Sequence, residues 1–144
     1  MFWLFDKYKG KFEYTEMSSK YYRLNFIREN TNLPFSNTIN DFNSLLEWDC
    51  ITPNFGFFYD YENNELDLQN RFYKSVLKDR KFLFIETTSS DPIIKVPVEL
   101  FINNWEDFIV ANQGMGSVLL SNDLDLCLEF TDDHKYFLFS NFKI

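Results

Sequence analysis

Along the chain the spacing of apolar and polar positions changes several times, and each change marks a predicted element. Lys11 to Met17 alternates, with Phe12 and Tyr14 on one side and Glu13 and Thr15 on the other. Tyr21 to Ile27 does the same, with Tyr22, Leu24 and Phe26 against Arg23 and Asn25. A period of two with aromatic enrichment predicts half-buried strands. The short link Ser18-Ser19-Lys20 predicts that the two form an antiparallel hairpin. A loop over 30–37, broken by Pro34, comes next. Ile39, Phe42, Leu45 and Leu46 then follow helical spacing, and Thr38 with Asp41 suggests a capping box. That helix has to end before Pro53, because the residue preceding a proline is pushed out of helical geometry.

The aromatic run Phe55 to Tyr61 predicts a buried strand, 62–65 a turn, and Leu66 with Leu68 the start of a return strand. Arg71 to Arg80 is ambiguous: Phe72, Tyr73, Val76 and Leu77 fit a helix only in part. Lys81 to Thr87 predicts a strand and 89–92 a loop. The clearest helix spans Pro97 to Asn112, where Val98, Phe101, Ile102, Trp105, Phe108 and Ile109 make one apolar stripe. Pro97 suits its first position and Gly114 a left-handed exit, while Glu99, Asn103, Glu106 and Asp107 face water. Three strands follow, over 117–120, 124–131 and 136–141. In the second, Leu124, Leu126, Leu128 and Phe130 alternate with Asp125, Cys127 and Glu129, and Asp132-Asp133-His134 turns the chain into the third.

This order of elements, with short links, predicts an α+β fold. We expect a mostly antiparallel sheet of about five to seven strands with two or three packed helices, as the short links favour. No repeat, linker or low-complexity tract divides the chain, so 1–144 reads as a single globular domain. At 17.4 kDa the expected folded surface is about 7,900 Å², enough burial for a core without disulfides or metals. The N-terminal apolar run is too short for a signal peptide, and no window is long and apolar enough for a membrane span. The expectation is a cytoplasmic protein that keeps its N-terminus and makes no membrane contact. Cys50 and Cys127 lack metal-ligand spacing and read as two buried free thiols in a reducing compartment, with a single disulfide between them as the alternative.

Known chemistries find little to use. The single histidine, His134, falls in the turn before the last strand, away from either cysteine in the sequence. That is not the setting of a catalytic imidazole held in a pocket. Zinc needs more ligands of the right type, and the acids Asp60, Glu62, Glu65 and Asp67 lack the central glycine of a calcium loop. Gly114-Met115-Gly116 follows a helix, whereas a phosphate cradle precedes one. The adjacent pairs Glu106-Asp107 and Asp132-Asp133 point apart on regular backbone, which suits solvation better than acid–base catalysis. Arg71, Lys74, Lys78, Arg80 and Lys81 form the one basic concentration, and it reads as a solvated helix face. No catalytic residue, metal, cofactor, nucleic acid or small-molecule substrate is expected.

The remaining signal is charge. Lys plus Arg is 14 against 22 for Asp plus Glu, a net −8 at pH 7. The acids concentrate at 60–67, 106–107 and 123–133. If hairpin ends gather them, they make one negative face that attracts a basic partner and speeds encounter. Small size, acidity, few cysteines, abundant aromatics and the stretches Trp105-Glu106-Asp107-Phe108, 116–121, 128–133 and Phe139-Ser140-Asn141-Phe142 give the chain its resemblance. It resembles bacterial toxin-immunity proteins, in particular those of contact-dependent growth inhibition systems. The resemblance implies a non-enzymatic inhibitor that binds the basic, nuclease-type domain of a cognate toxin, and a monomer outside that complex. Asp60, Glu62, Glu65, Asp67, Asp123, Asp125, Asp132 and Asp133 would imitate the phosphates of the toxin's substrate. Tyr59, Tyr61 and Tyr136 would anchor the contact, tyrosine being favoured at interface hot spots. Two alternatives stay open: a small cytosolic enzyme built on carboxylates and tyrosines, and an adaptor or assembly subunit with an exposed aromatic patch.

Overall fold

Glu13–Thr15 (β1), Phe55–Phe58 (β2), Phe82–Thr87 (β3), Ile93–Pro97 (β4), Ser117–Ser121 (β5), Cys127–Phe130 (β6) and Phe137–Ser140 (β7) make one sheet. This is a computed structural model, which describes residues 2–15, 24–37, 42–59, 65–87, 92–111, 116–131 and 136–144. The strand order is β1-β4-β3-β5-β6-β7-β2, and every neighbouring pair is antiparallel. Five short α-helices are described: Phe2–Lys7 (α1), Asn25–Asn30 (α2), Glu65–Lys74 (α3), Val98–Asn103 (α4) and Trp105–Val110 (α5). The α+β class and the antiparallel sheet agree with the sequence pattern.

Alternation along the strands gives the sheet two apolar faces. One carries Leu83, Ile85, Ile94, Val96, Leu119, Leu128, Phe130 and Leu138, and packs on the helices through Leu4, Leu68, Phe72, Phe101, Ile102, Trp105 and Phe108. The other carries Phe84, Val118, Leu120, Cys127 and Phe139. It is covered by α2 with its N-cap and by the chain from α2 to β2, through Leu24, Ile27, Leu46, Trp48 and Ile51. Sheet, helical layer and this irregular second layer form a single compact domain with 8232 Å² of accessible surface, close to the expectation from its mass.

The second layer accounts for most of the departures from the pattern. Among the described residues β1 has no hairpin partner from the expected second strand: it pairs with β4, and Asn25 begins α2. Tyr21 to Arg23 lie outside the described residues. Leu24 takes a left-handed conformation (φ 54°) at the start of the helix. Phe42, Leu45 and Leu46 are not helical; Leu46 bridges to Phe35, and a 3₁₀ turn forms at Trp48–Cys50. Thr38 and Asp41, the expected capping box, lie outside the described residues.

Other differences have local causes. Leu66 and Leu68 belong to α3, not a return strand, because Leu68 and Phe72 reach the core together at helical spacing. The ambiguous segment that follows ends α3 and then forms a 3₁₀ turn at Val76–Asp79, capped by Ser75 Oγ, which accepts from the Leu77 N–H at 3.2 Å. The expected long helix from Pro97 is two helices. Asn104 interrupts it, its side-chain amide donating to the Leu100 carbonyl at 3.0 Å in competition with the helical backbone. Ile93 to Pro97, to which the pattern assigns no strand, is β4. The expected strand from Leu124 starts only at Cys127, Leu124 being a left-handed turn residue (φ 61°). The β6–β7 pairing is as expected, while its turn residues 132–135, like Gly114, lie outside the described residues.

The expected buried strand over 55–61 is instead an edge strand, β2, whose Phe58 is 67% exposed. Gly56 lets it lie flat on its neighbour: a Cβ there would sit 2.8 Å from two ring carbons of Phe137. Gly56→Ala should therefore displace the Phe137 ring from its stack on Phe42. We expect a loss of about 1–3 kcal/mol in urea unfolding, the usual range for overpacking. A change below about 0.5 kcal/mol would show that the ring yields freely, as at an ordinary surface position.

Candidate functional site

The acidic residues separate according to strand direction. Asp123 and Asp125 sit in the β5–β6 turn, before β6 begins, whereas Thr131 and Tyr136 bracket the β6–β7 connection beyond its other end. Six residues of near-extended chain span about 20 Å, so these are opposite ends of the sheet. Asp123 and Asp125 thus stand at the end of the sheet away from Tyr136.

At the first end the charge is already paired. Arg80 donates to both oxygens of Asp125, the Nε contact to Oδ1 being 3.1 Å, and lies 3.7 Å from Asp123. Ser121 Oγ also donates to Asp125, at 2.7 Å. The Arg80 hydrogen bond, assisted by that of Ser121, holds the Asp125 carboxyl down at about 2. A lowered folded-state pKa contributes stability that is full above the ordinary carboxylate range and is lost as pH falls toward 2. Arg80→Leu should thus lower the melting temperature at pH 7, with the difference from the parent shrinking as pH falls from about 4 to 2. A difference independent of pH would mean that Arg80 acts through packing alone. Asp67 is likewise paired, with Arg71 at 3.2 Å one turn along α3.

At the second end, Tyr59 donates its N–H to the Tyr136 carbonyl at 2.8 Å, continuing the β2–β7 ladder. From Tyr59 the sequence runs into Asp60, Tyr61 and Glu62, and it returns through Asp132 and Asp133 to Tyr136. Asp60, Tyr61, Glu62, Asp132 and Asp133 lie outside the described residues, as does His134, and Glu65 opens α3. The Tyr59 ring is buried among Trp105, Phe130 and Tyr136, each edge-on to it. It shapes the core under this end and presents little surface. Tyr136 is half-buried and held left-handed (φ 52°), a strained conformation for a bulky residue.

Two carboxylates prove to be the most deeply engaged: Glu86, which the pattern leaves unremarked, and Glu129, which it sets on the side opposite Leu128 and Phe130. Glu86 of β3 and Glu129 of β6 are 1% and 0% exposed. Both flank Val118 in the ladder and face the second layer. Glu86 accepts from the N–H groups of Phe26 and Ile27, 3.0 Å each, at the start of α2, where no side chain of α2's own cap does so. Burial pushes its pKa up, the two N–H bonds opposing. Glu129 accepts from the N–H of Leu45 (2.6 Å), the N–H of Leu46 (3.0 Å) and the indole of Trp48 (2.9 Å). The signal for both was a lone glutamate inside an otherwise apolar strand. Their donors are backbone and indole groups of the second layer, so they act as buttons for it.

A cavity of about 260 Å³ lies beside α1, lined by Phe5, Asp6, Tyr8, Lys9, Phe12 and Tyr14. Behind it Asp107, expected to face water, accepts from Lys7 at 2.7 Å and from the Tyr8 hydroxyl. Burial, with the Asp107 hydrogen bond, pushes Tyr8 up to about 12. Tyr8 therefore stays protonated at neutral pH and acts as a donor, not a base. Both thiols are free, Cys127 buried and raised in pKa by burial and then by Glu129, but Cys50 is exposed, contrary to expectation. Among the described residues no group of three or more potential ligands could hold a metal ion, and no helix is long and apolar enough to cross a membrane. Compared with protein-family models, curated proteins and solved structures, the chain matches none.

Proposed function

We propose that this chain is an immunity-type inhibitor, a cytoplasmic protein that binds and neutralises a cationic, nuclease-type toxin domain without turning over a substrate. The supporting observation is the ladder bond from Tyr59 to Tyr136. It brings the starting point of Asp60-Tyr61-Glu62 beside the end point of Asp132-Asp133, on a chain of net charge −8. Asp67, Asp123 and Asp125 already have basic partners, so they act through the long-range field more than through contact. Tyr136, part-exposed, is the aromatic anchor of the contact. Carboxylates at this end take the place of the phosphates that a nuclease domain binds.

The test uses the basic C-terminal domain of the protein encoded immediately upstream of this chain's gene, in a catalytically disabled form. Binding is expected, with an association rate that falls at least about tenfold between low and high salt. Reversing Asp60, Glu62, Asp132 and Asp133 together to lysine should weaken affinity at least about 100-fold. Reversing Asp123 and Asp125 should weaken it far less. Absence of such a domain, failure to bind it, or binding indifferent to all four reversals would overturn the reading.

A further inference from the structure

Strand β2 ends the sheet, and among the described residues its only ladder partner is β7. Hydrogen-bonded and non-hydrogen-bonded pairs alternate along an antiparallel ladder. The Tyr59–Tyr136 bond fixes that alternation: Phe57–Leu138 and Phe55–Ser140 are hydrogen-bonded pairs as well. Gly56 and Phe58 therefore direct their N–H and C=O groups away from β7, toward the outer edge. Proteins usually blunt such an edge with a charge, a proline or a bulge. The opposite edge, β1, carries the exposed Glu13, but β2 reads Phe-Gly-Phe-Phe, with Phe55 38% and Phe58 67% exposed. The Phe58 ring is steadied edge-on by Phe137 at 4.8 Å and by Phe42 at 6.2 Å, so most of a positioned aromatic side chain stands outside the fold.

Charge decides between occupants of this edge. A second copy would bring another −8 to the assembly, a net repulsion, whereas a cationic chain meets attraction. We infer that β2 is the edge on which the cationic partner adds a strand, an uncharged extended segment that pairs with Gly56 and Phe58 and receives the Phe58 ring. Backbone pairing of this kind supplies affinity, and alternate side-chain pockets supply specificity. The inference rests on the proposed function and adds where and how the partner docks.

Amide hydrogen exchange on the full chain, alone and with the disabled upstream-encoded domain, tests it. In the free chain the Gly56 and Phe58 amides should exchange rapidly while Phe57 is protected, and the complex should slow Gly56 and Phe58. Phe58→Lys should raise the dissociation constant at least about 30-fold, in the range of an interface hot spot, with an unchanged circular dichroism spectrum. Phe58→Tyr should bind within about threefold of the parent, since hot-spot energy follows the aromatic ring. If the domain binds salt-dependently but leaves both amides unprotected and tolerates Phe58→Lys, the docking edge is wrong while the inhibitor reading stands. If the domain does not bind, both fall. Protection of Gly56 and Phe58 in the free chain, increasing with concentration alongside a dimeric mass, would make a second copy the occupant and overturn the inference.

Discussion

Glu129→Ala should be the most damaging single substitution away from the aromatic core, costing about 4 kcal/mol or more in urea unfolding. It strands three donors at once: the N–H groups of Leu45 and Leu46 and the Trp48 indole. Each unsatisfied buried group costs about 1–3 kcal/mol, and a domain of this size has only about 5–15 kcal/mol in total. Glu129→Gln separates hydrogen bonding from shape. Its carbonyl oxygen can replace Oε1, which serves Leu46 and Trp48, but its NH₂ then meets the Leu45 N–H donor to donor. About 1–3 kcal/mol is expected, the cost of one lost partner. Trp48, 3% exposed and stacked on Phe139 at 5.4 Å, reports locally: its fluorescence should shift to the red in Glu129→Ala as the second layer loosens. A cost below about 1 kcal/mol for the alanine variant would show that water replaces the carboxylate, against its complete burial.

Glu86→Ala should cost about 2–4 kcal/mol, since two N–H groups at the start of α2 lose their acceptor. The pH dependence identifies the cause. Burial places the folded-state pKa of Glu86 above its ordinary value of 4.5. Over the window above 4.5 the folded protein keeps a proton that the unfolded chain has released, so stability falls as pH rises. The contribution of Glu86 is therefore full below 4.5 and declines above it, opposite in sign to that of Asp125. The gap in melting temperature between parent and Glu86→Ala should be widest near pH 4 and narrower at pH 8, at fixed ionic strength. A gap that widens with pH would mean that the ionised form is the one the fold favours.

Both glutamates show where local pattern stops being informative. The sequence by itself determined the α+β class and the antiparallel sheet. It also determined the strands from Lys81, Ser117 and Tyr136, and the buried stripe Val98, Phe101, Ile102, Trp105 and Phe108. Those features follow from side chains a few residues apart sharing one face, which periodicity records. It also determined the charge of −8 on which the proposed function draws. Tertiary structure alone decided the second layer. Residues 24–30 and 42–50 take their conformations because Glu86 and Glu129, distant in sequence, accept their N–H groups, and no local spacing encodes such a donor–acceptor match. Structure likewise decided that Asp123 and Asp125 stand at the far end from Tyr136, and that aromatic β2 lies at an edge. Antiparallel connection reverses direction at every turn, so which ends and edges meet is a property of strand order, set by packing over the whole sheet.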